Sequence, residues 1–136
     1  MTVVFYLRTE KAKPMSTEVL LVDEDRDVLD IVETFLGREG DLVITSEADP
    51  EQALEMAAGG DYDVVVSDYK MPGLNGLELC SELRARDGEL PFVLFSAREP
   101  EDVQPAAEEA GITGFVQKGT GTEQYTELAE RIRAAT

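Results

Sequence analysis

The chain has 136 residues, 43% of them apolar and 30% charged, which is the size and make-up of one globular domain with a single core. With 29 acidic against 12 basic residues the formal charge is −17, a surface that repels nucleic acid and anionic membranes. The absence of histidine excludes a Ser-His-Asp triad, an imidazole base and a His-ligated zinc, and the single cysteine, Cys80, excludes an internal disulfide.

The first residues differ from the rest. Arg8, Lys11 and Lys13 against Glu10 make residues 1–14 net positive on an otherwise acidic chain. Residues 1–16 are read as an appendage, poorly ordered, with Met15 as an alternative translation start and a short strand over Val3–Leu7 as the ordered alternative. That apolar run has no basic stretch before it, so it is not a signal peptide, and no apolar run exceeds five residues, far short of the roughly 20 that span a bilayer. A soluble, cytoplasmic protein is expected, and its acidity is read as adaptation to high salt, where self-repulsion is screened.

From Glu18 onward, strand and helix patterns alternate. Val19–Val22 is an apolar run of strand length, followed by Val28, Leu29, Ile31, Val32, Phe35 and Leu36 at helical spacing, with Gly40 as a stop. Leu42–Ile44 is the second strand. Asp49-Pro50-Glu51-Gln52 starts the second helix with an Asp cap, a first-position Pro and Gln three residues after the cap, and the helix runs to about Ala58. Val64–Val66 is the third strand. Asn75-Gly76-Leu77-Glu78 opens a helix carrying Leu77, Leu79, Cys80 and Leu83, so Cys80 is read as a packing residue. Phe92–Phe95 is the fourth strand, and a helix from Glu101 to Ala110 follows with Pro105 expected to kink it or cost it part of its first turn. Gly114–Gln117 is the fifth strand, and Thr120-Gly121-Thr122-Glu123 offers a capping box to a last helix buried along Tyr125, Leu128, Ala129 and Ile132. Strands that are apolar at consecutive positions are buried on both faces. The pattern predicts a (βα)5 fold, a parallel five-stranded sheet between two layers of helices.

Ligands of such sheets bind beyond the carboxyl ends of the strands. Asp23, Glu24 and Asp25 stand after the first strand, Asp68 after the third, Ser96 and Arg98 after the fourth and Lys118 after the fifth, while the second ends at Thr45-Ser46 with no such cluster. Asp25 and Asp27 are explained as a cap and a first-turn acid of helix 1. Each of the others taken alone would be a turn residue, a loop hydroxyl or a surface charge; delivered to one rim they are complementary. Two carboxylates about 4 Å apart repel by roughly 4 kcal/mol at an effective dielectric near 20, which favours a hard divalent cation. Magnesium is expected on Glu24 and Asp68, on Asp23 directly or through water, and on the backbone carbonyl of Lys70. Asp68 is then a carboxylate nucleophile for a phosphoryl group, with Lys118 and the Ser96 hydroxyl meeting the phosphoryl oxygens.

Leu20-Leu21-Val22-Asp23-Glu24-Asp25, Val66-Ser67-Asp68-Tyr69-Lys70-Met71-Pro72-Gly73-Leu74-Asn75-Gly76, Leu94-Phe95-Ser96-Ala97 and Gly114-Phe115-Val116-Gln117-Lys118, in this order, resemble the receiver domain of two-component response regulators over residues 18–135. The resemblance implies a flavodoxin-like α/β fold with strand order 2-1-3-4-5. It also implies phosphorylation of Asp68 by a sensor histidine kinase or phosphotransfer protein, and a switch in which Ser96 moves to the phosphoryl oxygen and Phe115 turns inward. The face of the fourth helix, fifth strand and fifth helix then changes shape for an unidentified target protein or for a homodimer. No output domain follows the last helix, so output is expected through a partner. Two features depart from the family pattern: Glu24 is one methylene longer than the commoner Asp, and Gly119 replaces a proline usually in cis linkage after the lysine. Lys70 and Arg98, each two residues past a site residue, are expected to shield the acyl phosphate and slow its loss. The rival readings are a receiver-like interaction module that is never phosphorylated and a phosphatase of the haloacid dehalogenase type. The second would use Asp23 and leave Asp68 idle. A flavodoxin is excluded because acids follow the first strand where a phosphate loop should be.

Overall fold

The computed structural model describes residues 16–86 and 88–136. Five strands and five helices alternate: β1 Thr17–Val22, α1 Arg26–Gly37, β2 Leu42–Glu47, α2 Pro50–Ala58, β3 Val64–Ser67, α3 Gly76–Arg84, β4 Phe92–Ser96, α4 Pro100–Ala110, β5 Gly114–Gln117 and α5 Glu123–Ala135. Each pairing is parallel, as the sequence pattern predicts, and the sheet order is β2-β1-β3-β4-β5, as the family resemblance implies. The expected appendage and the Val3–Leu7 strand lie outside the described residues, save Ser16. No described helix is long and apolar enough to cross a membrane.

The central runs of β1, β3 and β4 are apolar at consecutive positions because each face has its own core. Leu20, Val22, Val65, Phe92 and Leu94 pack under α2, α3 and α4 with Leu54, Leu79, Cys80 and Leu83. Their neighbours Val19, Leu21, Val64, Val66, Val93, Phe95 and Val116 pack on the other face under α1 and α5 with Leu29, Val32, Leu36, Leu128 and Ile132. Period-2 alternation along each strand thus feeds two cores, which makes three layers. Cys80 is buried, as expected, and its thiol donates to the Ala110 carbonyl at 3.3 Å.

The structure changes several local expectations. Ile31 is 46% exposed and leaves the buried stripe of α1, while Phe35 stacks on Tyr125 with ring centroids 4.5 Å apart. Pro105 leaves α4 unbroken; it sits on an exposed face near the start of the helix, where water can reach the carbonyl it cannot serve. At α2, Asp49 accepts from Glu51 N–H as a cap, but the Asp49 amide donates to Glu47 Oε2 rather than to Gln52. At α5, Thr122 is the N-cap residue without a side-chain cap bond. Gln124 does the work instead: its Nε2 donates to the carbonyls of Gly119 and Gly121, and its Oε1 accepts from the Gly119 amide. The asparagine-glutamate capping box of α3 forms in full between Asn75 and Glu78.

Candidate active site at the carboxyl rim

Register places the site. Val22 pairs with Ser67, Ser67 with Leu94 and Ser96 with Gln117, so β1, β3, β4 and β5 end nearly level. The residues just beyond are Asp23, Asp68, Ala97 and Lys118. The Asp68 amide donates to Val22 O at 3.0 Å, and the Lys118 amide to Ser96 O at 2.8 Å, carrying the sheet one residue further on each side of the rim. β2 is longer than its apolar run because Val22 pairs with Glu47, whose carbonyl accepts from Asp23 N–H. The backbone that orients Asp23 therefore comes partly from a strand end that sequence reasoning left empty.

Asp23, Asp68 and Lys118 converge. Lys118 Nζ donates to Asp23 Oδ2 at 3.0 Å and stands 3.4 Å from Asp68 Oδ1. Asp23 is 4% exposed, with Oδ1 accepting from the Asp25 amide at 2.9 Å. Asp68 Oδ1 also accepts from the Tyr69 amide at 2.8 Å, and Asp68 Oδ2 has no partner among the described residues. Burial pushes the Asp68 carboxyl above its ordinary range; Lys118 opposes this and the Asp23 charge adds to it. Lys118 Nζ further lies 5.5 Å from the centre of the Phe95 ring. Ser96 is buried at the end of β4, its Oγ accepting from the Arg98 amide at 3.1 Å.

Three acids do not gather into one cluster as the sequence suggests. Among the described residues no group of three or more ligating side chains stands close enough to hold an ion. Glu24 is exposed and has no bonded partner among the described residues, and Lys118 supplies the counter-charge for the other two. The donor set still suits a hard cation: two carboxylates share one ammonium, and one of their oxygens is open. The Lys70 side chain is exposed. The Lys118–Gly119 bond is trans, there being no cis peptide among the described residues, so Gly119 in place of proline goes with an ordinary linkage. Phe115 pairs with Leu94 on the same sheet face as Ser96, half-buried, and lines a cavity of about 240 Å³ with Val103, Ala107 and Ile112.

Two contributors escaped the sequence. Gly76 packs so closely under Asp68 that a Cβ there would overlap the Asp68 carbonyl oxygen and come within 2.8 Å of Leu94 Cδ1. The Asn75-Gly76 pair, legible only as a helix start, was its one signal. Tyr69 carries the Arg98 guanidinium over its ring, with Cζ 4.5 Å from the centroid. Nothing in the spacing of those two residues announces the contact.

A parallel sheet of order 2-1-3-4-5 whose carboxyl rim carries two acids, a lysine and, at the end of β4, a buried hydroxyl has the flavodoxin-like architecture. The family comparison narrows this. The model of the response regulator receiver domain matches residues 19–132, and the chain belongs to that family. It is 36% identical over 120 residues to the response regulator MprA of Mycobacterium ulcerans (strain Agy99), a match covering 88% of this chain and 50% of that protein. The chain thus spans about half the length of the curated relatives it matches. Among solved structures, the receiver domain of Francisella response regulator 1452 superposes with a TM-score of 0.77 at 26% identity, over 88% of this chain and 96% of the other. The receiver domain of sensor histidine kinase PA1611 from Pseudomonas aeruginosa PAO1, which has magnesium coordinated in its active-site cleft, gives a TM-score of 0.75 at 23% identity over 88% and 98%. The protein is a receiver domain of two-component signalling, a family of phosphoacceptors that work with histidine kinases or phosphotransfer proteins and typically bind magnesium.

Proposed function

We propose that Asp68 is the phosphoryl acceptor, charged from a phosphohistidine of a sensor histidine kinase or phosphotransfer protein. The observation that carries this is the asymmetry of its carboxylate. Oδ1 is tied to the Tyr69 amide and Lys118, while Oδ2 is unpartnered at the end of β3. Oδ2 attacks phosphorus, an O–P bond forms as the N–P bond of the phosphohistidine breaks, and the imidazole nitrogen leaves with the bonding pair. Lys118, already between Asp23 and Asp68, follows the charge onto the phosphoryl oxygens. Asp23, Glu24, Asp68 and the Lys70 carbonyl are the oxygen donors that would hold magnesium. Bound there, the ion neutralises charge on the phosphoryl oxygens.

The Ser96 hydroxyl, which now accepts from the Arg98 amide, gains a phosphoryl oxygen as a new acceptor for its own proton. Phe115, paired with Leu94 two residues before Ser96, projects to the same sheet face and lines a cavity of about 240 Å³. The α4–β5–α5 face is the surface that changes, for a downstream protein target or for a second copy of the chain. The same residues assist transfer and hydrolysis, so the protein assists its own phosphorylation and dephosphorylation without being a turnover enzyme. Arg98 and Lys70 flank the mouth and favour a long-lived acyl phosphate.

Intact mass after acetyl phosphate, with and without magnesium, on wild type and D68N tests the core of this. One added phosphate that needs both the metal and Asp68 is expected. Label retained in D68N would move the acceptor elsewhere, and no label at all would leave an interaction module that is never phosphorylated.

A further inference from the structure

Two loops bound the mouth of the site, one after β3 and one after β4. Each is anchored to a functional side chain by its own backbone. Tyr69 N–H donates to Asp68 Oδ1 at 2.8 Å, and Arg98 N–H donates to Ser96 Oγ at 3.1 Å. The two anchored residues then touch each other, the Arg98 guanidinium lying 4.5 Å over the Tyr69 ring. Tyr69 is half-buried and packs against the core under α3 and α4, whereas Arg98 is exposed. The moving end of the contact is therefore the arginine, and the fixed end is the ring.

From this chain of contacts, running from Asp68 through Tyr69 and Arg98 to Ser96, we infer that the Tyr69–Arg98 stack is a latch that holds Ser96 in its resting position. A rotation that carries Ser96 Oγ away from its present position breaks the bond it accepts from the Arg98 amide unless Arg98 moves with it. The stack keeps that amide where it is. A contact made only in the resting arrangement stabilises that arrangement and opposes the other. Tyr69 and Arg98 are positioning residues here: they act through Ser96, not on the reacting atoms. A cation over an aromatic face at an exposed site is worth enough to shift an equilibrium by about two- to fivefold, so the latch tunes the switch without locking it.

Three measurements on the full chain test this. First, Arg98 side-chain protons should resonate upfield in wild type and Y69F through the ring current, and lose that shift in Y69L. Second, the Arg98 amide should exchange with solvent about two- to fivefold faster in Y69L than in Y69F. Third, beryllofluoride with magnesium, a mimic of the acyl phosphate, should bind Y69L about two- to fivefold more tightly than Y69F, although Y69L has lost a packing group. A merely structural Tyr69 would weaken binding or leave it unchanged, and either outcome overturns the latch. So does an Arg98 amide that exchanges equally fast in both variants. Only the third measurement rests on Asp68 being the acceptor. If wild type takes no beryllofluoride, that reading fails on its own, and the amide exchange decides the latch.

Discussion

Gly76 offers the sharpest single perturbation of the site. It is the first residue of α3, its amide donates to the Tyr69 carbonyl at 2.7 Å, and it lies against the Asp68 backbone. In Gly76→Ala the new methyl would overlap the Asp68 carbonyl oxygen and press Leu94 Cδ1 at 2.8 Å. Neither obstacle is the free end of a surface side chain: one is backbone at the rim, the other a fully buried leucine of β4. Overpacking of that kind costs about 3 kcal/mol, the upper end of the usual range. The gain in helix propensity from Gly to Ala offsets about 1 kcal/mol. The net loss of about 2 kcal/mol lowers Tm by about 8 °C for a domain of this size. Because the displaced atom is the Asp68 carbonyl, the proposed acceptor moves with it, and labelling by acetyl phosphate should slow by between about ten- and a hundredfold. Gly37→Ala is the control. It closes α1 with nothing within 4 Å of its new methyl, so it should stabilise by about 0.5–1 kcal/mol and label normally. A G76A protein that melts within about 2 °C of wild type, or that labels at the wild-type rate, would refute the packing argument.

Asp68→Asn should melt higher than wild type at neutral pH. Burial, reinforced by Asp23 and opposed by Lys118, raises the folded-state pKa of Asp68 above its ordinary 3.8. The folded chain therefore holds this proton more tightly than the unfolded one. The stability it contributes is full below the unfolded value and lost as pH rises through the folded value, so the gap between D68N and wild type should close on acidification towards pH 4; a gap that widens contradicts the sign. The charge of −17 should make wild-type Tm climb between about 0.1 M and 1 M sodium chloride as the screening length falls from about 10 Å to 3 Å, and a flat profile would end the high-salt reading. Cys80, with burial pushing its thiol up to about 11, should resist a thiol-specific disulfide reagent in the native state and react at once in denaturant.

The helices and strands were legible where a local signal sufficed. Asp49-Pro50 and Asn75-Gly76-Leu77-Glu78 fix helix starts through their own capping chemistry, and the observed α2 and α3 begin there. What failed was non-local. Thr45-Ser46-Glu47 is polar and has no strand signature, yet it is strand because β1 offers Leu20, Leu21 and Val22 as parallel partners. The cap of α5 failed differently. Thr120 and Glu123 have the spacing of a capping box, but the helix starts two residues later with Thr122 as its N-cap, and Gln124 reaches back to Gly119 and Gly121 with three bonds from one amide. Ile31 has helical spacing with the buried stripe and still faces solvent, because spacing fixes an angle on the helix and not the width of the face that the sheet covers.

At the site, residue types were readable and charge pairing was not. Repulsion among Asp23, Glu24 and Asp68 can be anticipated from their places at strand ends, but not how close each stands to the next. Glu24 is exposed, and Asp23 and Asp68 form the close pair. A pair can be served by one ammonium, and Lys118 reaches both members at 3.0 and 3.4 Å because β5 ends level with β1 and β3. The contact with Asp23 spans 95 residues of chain, which no window of sequence could weigh. The same geometry gives the proposed chemistry its resting state. An ammonium that already bridges the acceptor and its neighbour need move little to meet a phosphoryl group on Asp68, and the carboxylate it leaves at Asp23 is then free to take a cation.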